Sequence, residues 1–182
     1  YAFRLVEEKE TINFSLFEEL FFKHFHQLAK KDKMLLYFNG LNYLNRQVNT
    51  GKTVDVSLPF KWYQYGLTHE LLLENQRLDT TTFSNIVVYG CRAKEFAWTK
   101  HFMDNYKKYL SPKNISNTYC YNLALLHFYN QEFEETLSIL KNHPFSEKNQ
   151  PKARLTIIRT LFELFLKDNG YLEVLNANIH SF

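Results

Sequence analysis

Leu123-Ala-Leu-Leu-His-Phe-Tyr-Asn-Gln-Glu-Phe-Glu-Glu-Thr-Leu137 is the stretch on which the fold turns. Its apolar residues recur at helical spacing on either side of a short polar step at Asn130-Gln131. The spacing predicts two helices, about Asn114 to Asn130 and Glu132 to Asn142. His143-Pro144 ends the second, because proline cannot continue a helix.

Working outward, the chain reads as helix after helix. Ser15-Leu-Phe-Glu18 has the form of a capping box opening a helix to about Lys30, with Leu16, Leu20, Phe21, Phe25 and Leu28 as its apolar stripe. A polar joint, Lys30 to Lys33, precedes a helix from about Met34 to Val48 that buries Leu35, Leu36, Tyr43 and Leu44. Asn49 to Thr53 is a polar loop, and Val54 to Leu58 alternates as an isolated strand would. Pro59 fits the first turn of a third helix, extending to about Asn75. Asp79, followed by three threonines, caps a helix ending near Lys94, and another covers Glu95 to Leu110. Towards the C-terminus, Pro151 starts a helix that Asp168-Asn-Gly170 stops near Lys167, and a last one begins at Tyr171. All four prolines stand at predicted boundaries.

Composition supports this reading. Five glycines and four prolines in 182 residues are too few for a protein of many tight β-turns. The 17 Phe, 12 Tyr and 2 Trp supply bulky rings that fill gaps between helices. Twenty-two basic and 19 acidic residues leave a net charge of only +3, less than nucleic-acid modules usually carry. Cys91 and Cys120 form no CxxC pair and no disulfide framework, which fits two packed thiols in a reducing, cytoplasmic setting. No apolar run reaches the ~18 residues of a membrane span. The chain opens on Tyr1 rather than Met and closes on the apolar helix before Phe182. The expectation is a fragment of a longer chain, with an upstream leader left open.

The quoted stretch has weaker copies. Phe96 and Thr99 stand 37 residues before Phe133 and Thr136, and Tyr171 and Val174 stand 38 residues after them. Periods of this size mark stacked helix pairs, which fold only by covering one another's apolar faces.

The segment 118–142 resembles the tetratricopeptide (TPR) repeat: a Leu and a small residue in a first helix, a turn, then an aromatic and a small residue in a second. On that resemblance Ala124 is the small residue at the close approach, Phe133 opens the second helix, Thr136 is the next close-packing position and Leu140 closes the hairpin core. Val87 and Phe162 depart from the pattern where a small residue is expected, as does Gly90 where an aromatic packs. The implied fold is all-α, a TPR-like right-handed α-α superhelix of stacked antiparallel hairpins. It forms one repeat domain over 1–182, with divergent hairpins in 1–77 and TPR-like ones in 78–182.

The resemblance further implies a non-enzymatic interaction scaffold that takes a peptide or partner helix in a concave groove. Arg92, Tyr121, Asn122, Leu125, Phe128, Tyr129, Arg159, Glu163 and Lys167 are the groove candidates. Asn122 matches one position of the family's carboxylate clamp. Ser84, Val88, Thr156 and Thr160 occupy the other positions, so that clamp is missing.

No residue pattern argues for catalysis, a metal or a cofactor. Gly51-Lys52-Thr53 lacks the upstream glycine of a phosphate loop, since Arg46 stands there. His24 and His26, two apart, point to different faces of a helix. Cys120 and His127 would be about 10 Å apart along a helix, too far for an activated thiolate. Glu7-Glu8, Glu18-Glu19 and Glu134-Glu135 are adjacent rather than convergent. The alternative function is nucleic-acid binding by segment 92–113. There Arg92, Lys94, Lys100, Lys107, Lys108 and Lys113 alternate with Phe96, Trp98, Phe102, Tyr106 and Tyr109.

Overall fold

A computed structural model describes residues 13–51 and 55–181. Nine α-helices, three short 3-10 turns and two two-residue strands make up its regular structure, so the protein is all-helical among the described residues. The chain divides into two units, 1–74 and 75–182.

The first unit holds α1 (Phe14–His24), a single 3-10 turn at Phe25–Gln27, α2 (Lys30–Asn49) and α3 (Ser57–Thr68). Asn13, not Ser15, caps α1, its side-chain oxygen accepting the Leu16 N–H at 3.1 Å. Ser15 already lies inside the helix, so the capping box does not form. The apolar stripe also differs from expectation. Phe17, Phe21 and Phe25 are buried, whereas Leu16 and Leu20 are exposed at 37% and 41%.

The reason is Trp62 on α3, fully buried and stacked on Phe17, Phe21 and Tyr37 at centroid distances of 6.1, 5.3 and 5.6 Å. Offset ring stacking at such distances selects the phenylalanine edge of α1 over the leucine edge. Its indole N–H donates to Glu18 at 2.8 Å, which leaves the buried donor satisfied.

Lys30 to Lys33, expected as a joint, forms the first turn of α2. That helix buries Tyr37, Gly40, Leu41 and Leu44, while Leu35 is exposed. Two glycines allow the close approach. A Cβ on Gly40 would collide with the Trp62 ring, and one on Gly66 with the Tyr37 hydroxyl. Tyr37 in turn donates to the Trp62 carbonyl at 3.0 Å, and burial pushes its phenol far above the ordinary range.

Of the expected strand at 54–58, Val54 lies outside the described residues. Asp55 accepts the Ser57 N–H at 2.9 Å and leads directly into α3, so 55–58 is a helix entry. The helix stops at Thr68, short of Asn75. Glu70 adopts the left-handed region and the Leu71 N–H returns to the Gly66 carbonyl at 2.8 Å, closing the helix. A minimal hairpin follows, β1 (Leu73–Glu74) and β2 (Arg77–Leu78), with Asn75 and Gln76 both at positive φ as a type I′ turn requires.

The second unit contains α4 (Thr80–Arg92), α5 (Phe96–Tyr106), α6 (Pro112–Tyr129), α7 (Phe133–Asn142), α8 (Gln150–Lys167) and α9 (Leu172–His180). Asp79 caps α4 as expected, accepting from the Thr81 and Thr82 N–H groups at 2.8 and 3.0 Å. Helix α4 packs on α5 and α6, α6 on α5, α7 and α8, α7 on α8, and α8 on α9. Each pair thus lies against the next. Ala124, with no exposed surface, shares a cluster with Leu140, Phe145 and Ala153, while Phe133, Leu137, Leu161, Leu164 and Leu175 form another.

The joints of the first two pairs are alike. Lys94 and Gln131 are both left-handed, and the Glu95 and Glu132 N–H groups return to the carbonyls of Gly90 and His127, each at 2.9 Å. Thr99 and Thr136, both fully buried, bond the same two glutamate carbonyls through their hydroxyls at 2.7 and 2.9 Å. The third pair departs: its joint is a 3-10 turn at Asn169–Tyr171, and Leu175 is buried where Val174 was expected, the latter 43% exposed.

Candidate functional site

Helices α4 and α6 and the beginning of α8 border an open cleft of about 470 Å³ in the second unit. Thr80, Thr81, Ser84, Asn85 and Val88 line it from α4. From α6 come Asn114, Asn117, Thr118, Tyr121, Asn122 and Leu125, and Lys148, Asn149 and Lys152 complete it. Residues three and four apart on one helix share a face, so these positions are one polar face of α4 beside one of α6. The lining carries two lysines and no carboxylate.

Asn122 holds the floor. It is fully buried, and its Nδ2 donates to Ser84 Oγ at 3.0 Å and to the Thr118 carbonyl at 2.8 Å. The second of these bonds fixes the amide orientation, because a carbonyl accepts only from the nitrogen. Oδ1 is then left buried with no donor among the described residues. The Tyr121 hydroxyl lies 3.4 Å from Thr156 Oγ1, joining α6 to α8, and its ring meets Phe145 edge-on.

The structure brings together three of the nine groove candidates, Tyr121, Asn122 and Leu125. Phe128, Arg159 and Lys167 gather elsewhere. The Arg159 guanidinium lies 5.0 Å from the Phe128 ring centre, and Lys167 Nζ lies 4.6 Å from that of Phe133. These cation–ring contacts cover the core cluster of α7 and α8. Tyr129 meets Phe128 edge-on at 5.8 Å. Glu163 is half-buried on α8, and Arg92 is exposed at the end of α4; neither lines the cleft. Ser84 and Val88, passed over for want of a charge, are lining residues. The polar run Thr80, Ser84, Asn85 is the signal that sequence reasoning missed.

The basic aromatic segment is largely committed to packing. Phe102 is buried, stacked between Trp98 and Tyr106 at 5.7 and 5.0 Å. Lys100 pairs with Asp104 at 2.6 Å, Lys107 approaches the same carboxylate at 3.8 Å, and the Tyr119 hydroxyl donates to it at 2.5 Å. The Lys100 bond, then that of Tyr119, holds the Asp104 carboxyl below its ordinary range.

The other sequence candidates lie apart. Lys52 and Thr53 fall outside the described residues. His24 Nδ1 lies 3.1 Å from Gln27 Oε1, and His26 faces His69 edge-on at 6.2 Å. No group of three His, Cys, Asp or Glu suited to a metal occurs among the described residues. Both cysteines are free; burial pushes the Cys91 thiol up to about 12 and raises that of Cys120 as well. His127 is engaged by Glu132 at 2.5 Å rather than by a thiol.

No protein-family model matches the sequence, and neither a curated protein nor a solved structure matches it. Among the described residues no helix is long and apolar enough to cross a membrane.

Proposed function

We propose that this chain is a non-enzymatic interaction scaffold, a TPR-like right-handed superhelix of stacked hairpins that receives a partner segment along its first helices. The observation that carries the reading is the cleft beside α4, α6 and α8, the leading members of the three helix pairs. Stacked hairpins offer an extended surface rather than a deep enclosed pocket, and such surfaces suit linear segments. The repeated joint at Lys94 and Gln131 supports the repeat, and the Asn122–Ser84 bond joins successive leading helices.

The test is selection of a phage-displayed random peptide library on the intact chain, followed by mapping of enriched peptides on the ¹⁵N-labelled protein by NMR. Shifts grouped on α4, α6 and the start of α8 are expected. Enriched peptides that perturb only other surfaces, or a failure to enrich any, would reject the scaffold reading.

A further inference from the structure

We infer that the cleft's occupant is an acidic peptide segment bound in extended form. This rests on the scaffold reading and narrows it to one partner chemistry.

Charge comes first. Lys148 and Lys152 line the cleft, no carboxylate does, and neither lysine makes an ion pair among the described residues. The N-terminal ends of α6 and α8 border the same space, and neither has a side-chain cap. The Asn114, Asn149 and Gln150 N–H groups return to the Ser111 and Ser146 carbonyls, so it is the helix dipole that makes these ends electropositive. Asp79, beside the cleft, spends its carboxylate on the α4 backbone.

Main-chain geometry comes second. Asn122 Oδ1 has no exposed surface, so a ligand in the cleft meets the half-buried polar side chains around it and not that atom. An extended peptide presents main-chain N–H and C=O groups along its length, matching the hydroxyls and amides of Ser84, Asn117 and Thr118. A helical partner has consumed those groups internally and would need a broad apolar floor. Here only Val88, Leu125 and the Tyr121 ring provide one.

The experiment uses the full chain and a fluorescein-labelled peptide of alternating Glu and Ser, about ten residues long, which extended reaches roughly 33 Å. Comparison probes are the Gln/Ser peptide, a helix-stapled Glu-rich peptide and oligothymidylate of equal charge. The acidic extended peptide should bind at least about tenfold more tightly than each of the others, weakening as salt rises. It should shift the Asn122 side-chain amide resonances, and Lys148→Glu with Lys152→Glu should weaken it about tenfold or more without altering the spectrum of the free protein.

Equal binding of the neutral peptide in the cleft would overturn the charge argument and leave the scaffold reading standing. Equal binding of the stapled helix would overturn the extended form, and equal binding of oligothymidylate would overturn a peptide in favour of polyanions. If no probe perturbs the cleft, this inference fails. The scaffold reading falls separately, only if library-selected peptides also miss the cleft.

Discussion

Lys94 and Gln131 stand 37 residues apart and hold the same backbone conformation, φ 62° at each, in the joints that turn α4 into α5 and α6 into α7. Both side chains are exposed, so the conformation is imposed by the joint and not by contacts of the side chain.

That conformation costs an L-residue roughly 1–2 kcal/mol, which glycine escapes at the expense of a freer unfolded chain. Lys94→Gly and Gln131→Gly should therefore each stabilise the second unit by about 0.5–1 kcal/mol in urea unfolding. Ala93→Gly, one residue before the left-handed position, should not. Destabilisation by both left-handed substitutions would remove the shared-joint account.

Gly40→Ala and Gly66→Ala should each destabilise the first unit by about 1–3 kcal/mol, since the added methyl meets the Trp62 ring in one case and the Tyr37 hydroxyl in the other. Near-ultraviolet circular dichroism and denaturant midpoints read the effect. Unchanged midpoints for both variants would mean that α2 and α3 do not approach so closely.

The two thiols should separate under a disulfide reagent at pH 8. Cys120 is half-buried and should react in the native protein. Cys91 is buried and its thiol is pushed up to about 12, so it should react only as the chain unfolds. Equal native rates would contradict the burial of α4.

Asp104 predicts an acid dependence. Its folded-state carboxyl lies below the ordinary range, chiefly through Lys100, so its contribution is present above the unfolded value and lost as pH falls through the folded one. The melting advantage of the wild type over Asp104→Asn should shrink between about pH 5 and about pH 3. Because the side chain is 41% exposed, added salt should reduce that advantage too. An advantage that grows on acidification would reverse the assignment.

Much of the helical order was legible in the sequence because local chemistry declares it. Asp79 and Pro151 stand at the starts of α4 and α8, and Gln131 marks the turn between α6 and α7. Helix α1 shows where local reading fails. Phe14 to Phe25 carries two apolar edges, and periodicity alone cannot choose between Leu16–Leu20 and Phe17–Phe21. Trp62, 44 positions from its partner Glu18, makes the choice. Lys30 to Lys33 was misread for a similar reason, since an exposed first turn looks like a loop. The cleft eluded sequence reading because threonine, serine and asparagine on a wet helix face carry no periodic apolar signal. Asn122 stood out in the sequence only through the TPR resemblance, and its orphaned oxygen required the neighbouring helix to be in place.

Trp62 lies in the first unit and Trp98 in the second, and the chain has only these two indoles. Each half therefore carries its own optical reporter, one sealed among phenylalanines and the other on a half-covered ring stack. Silencing either by a Trp→Phe exchange turns ordinary fluorescence into a record of one half alone. The pair of single-indole proteins then reveals, from two melting curves, whether the halves lose their structure in concert or in succession.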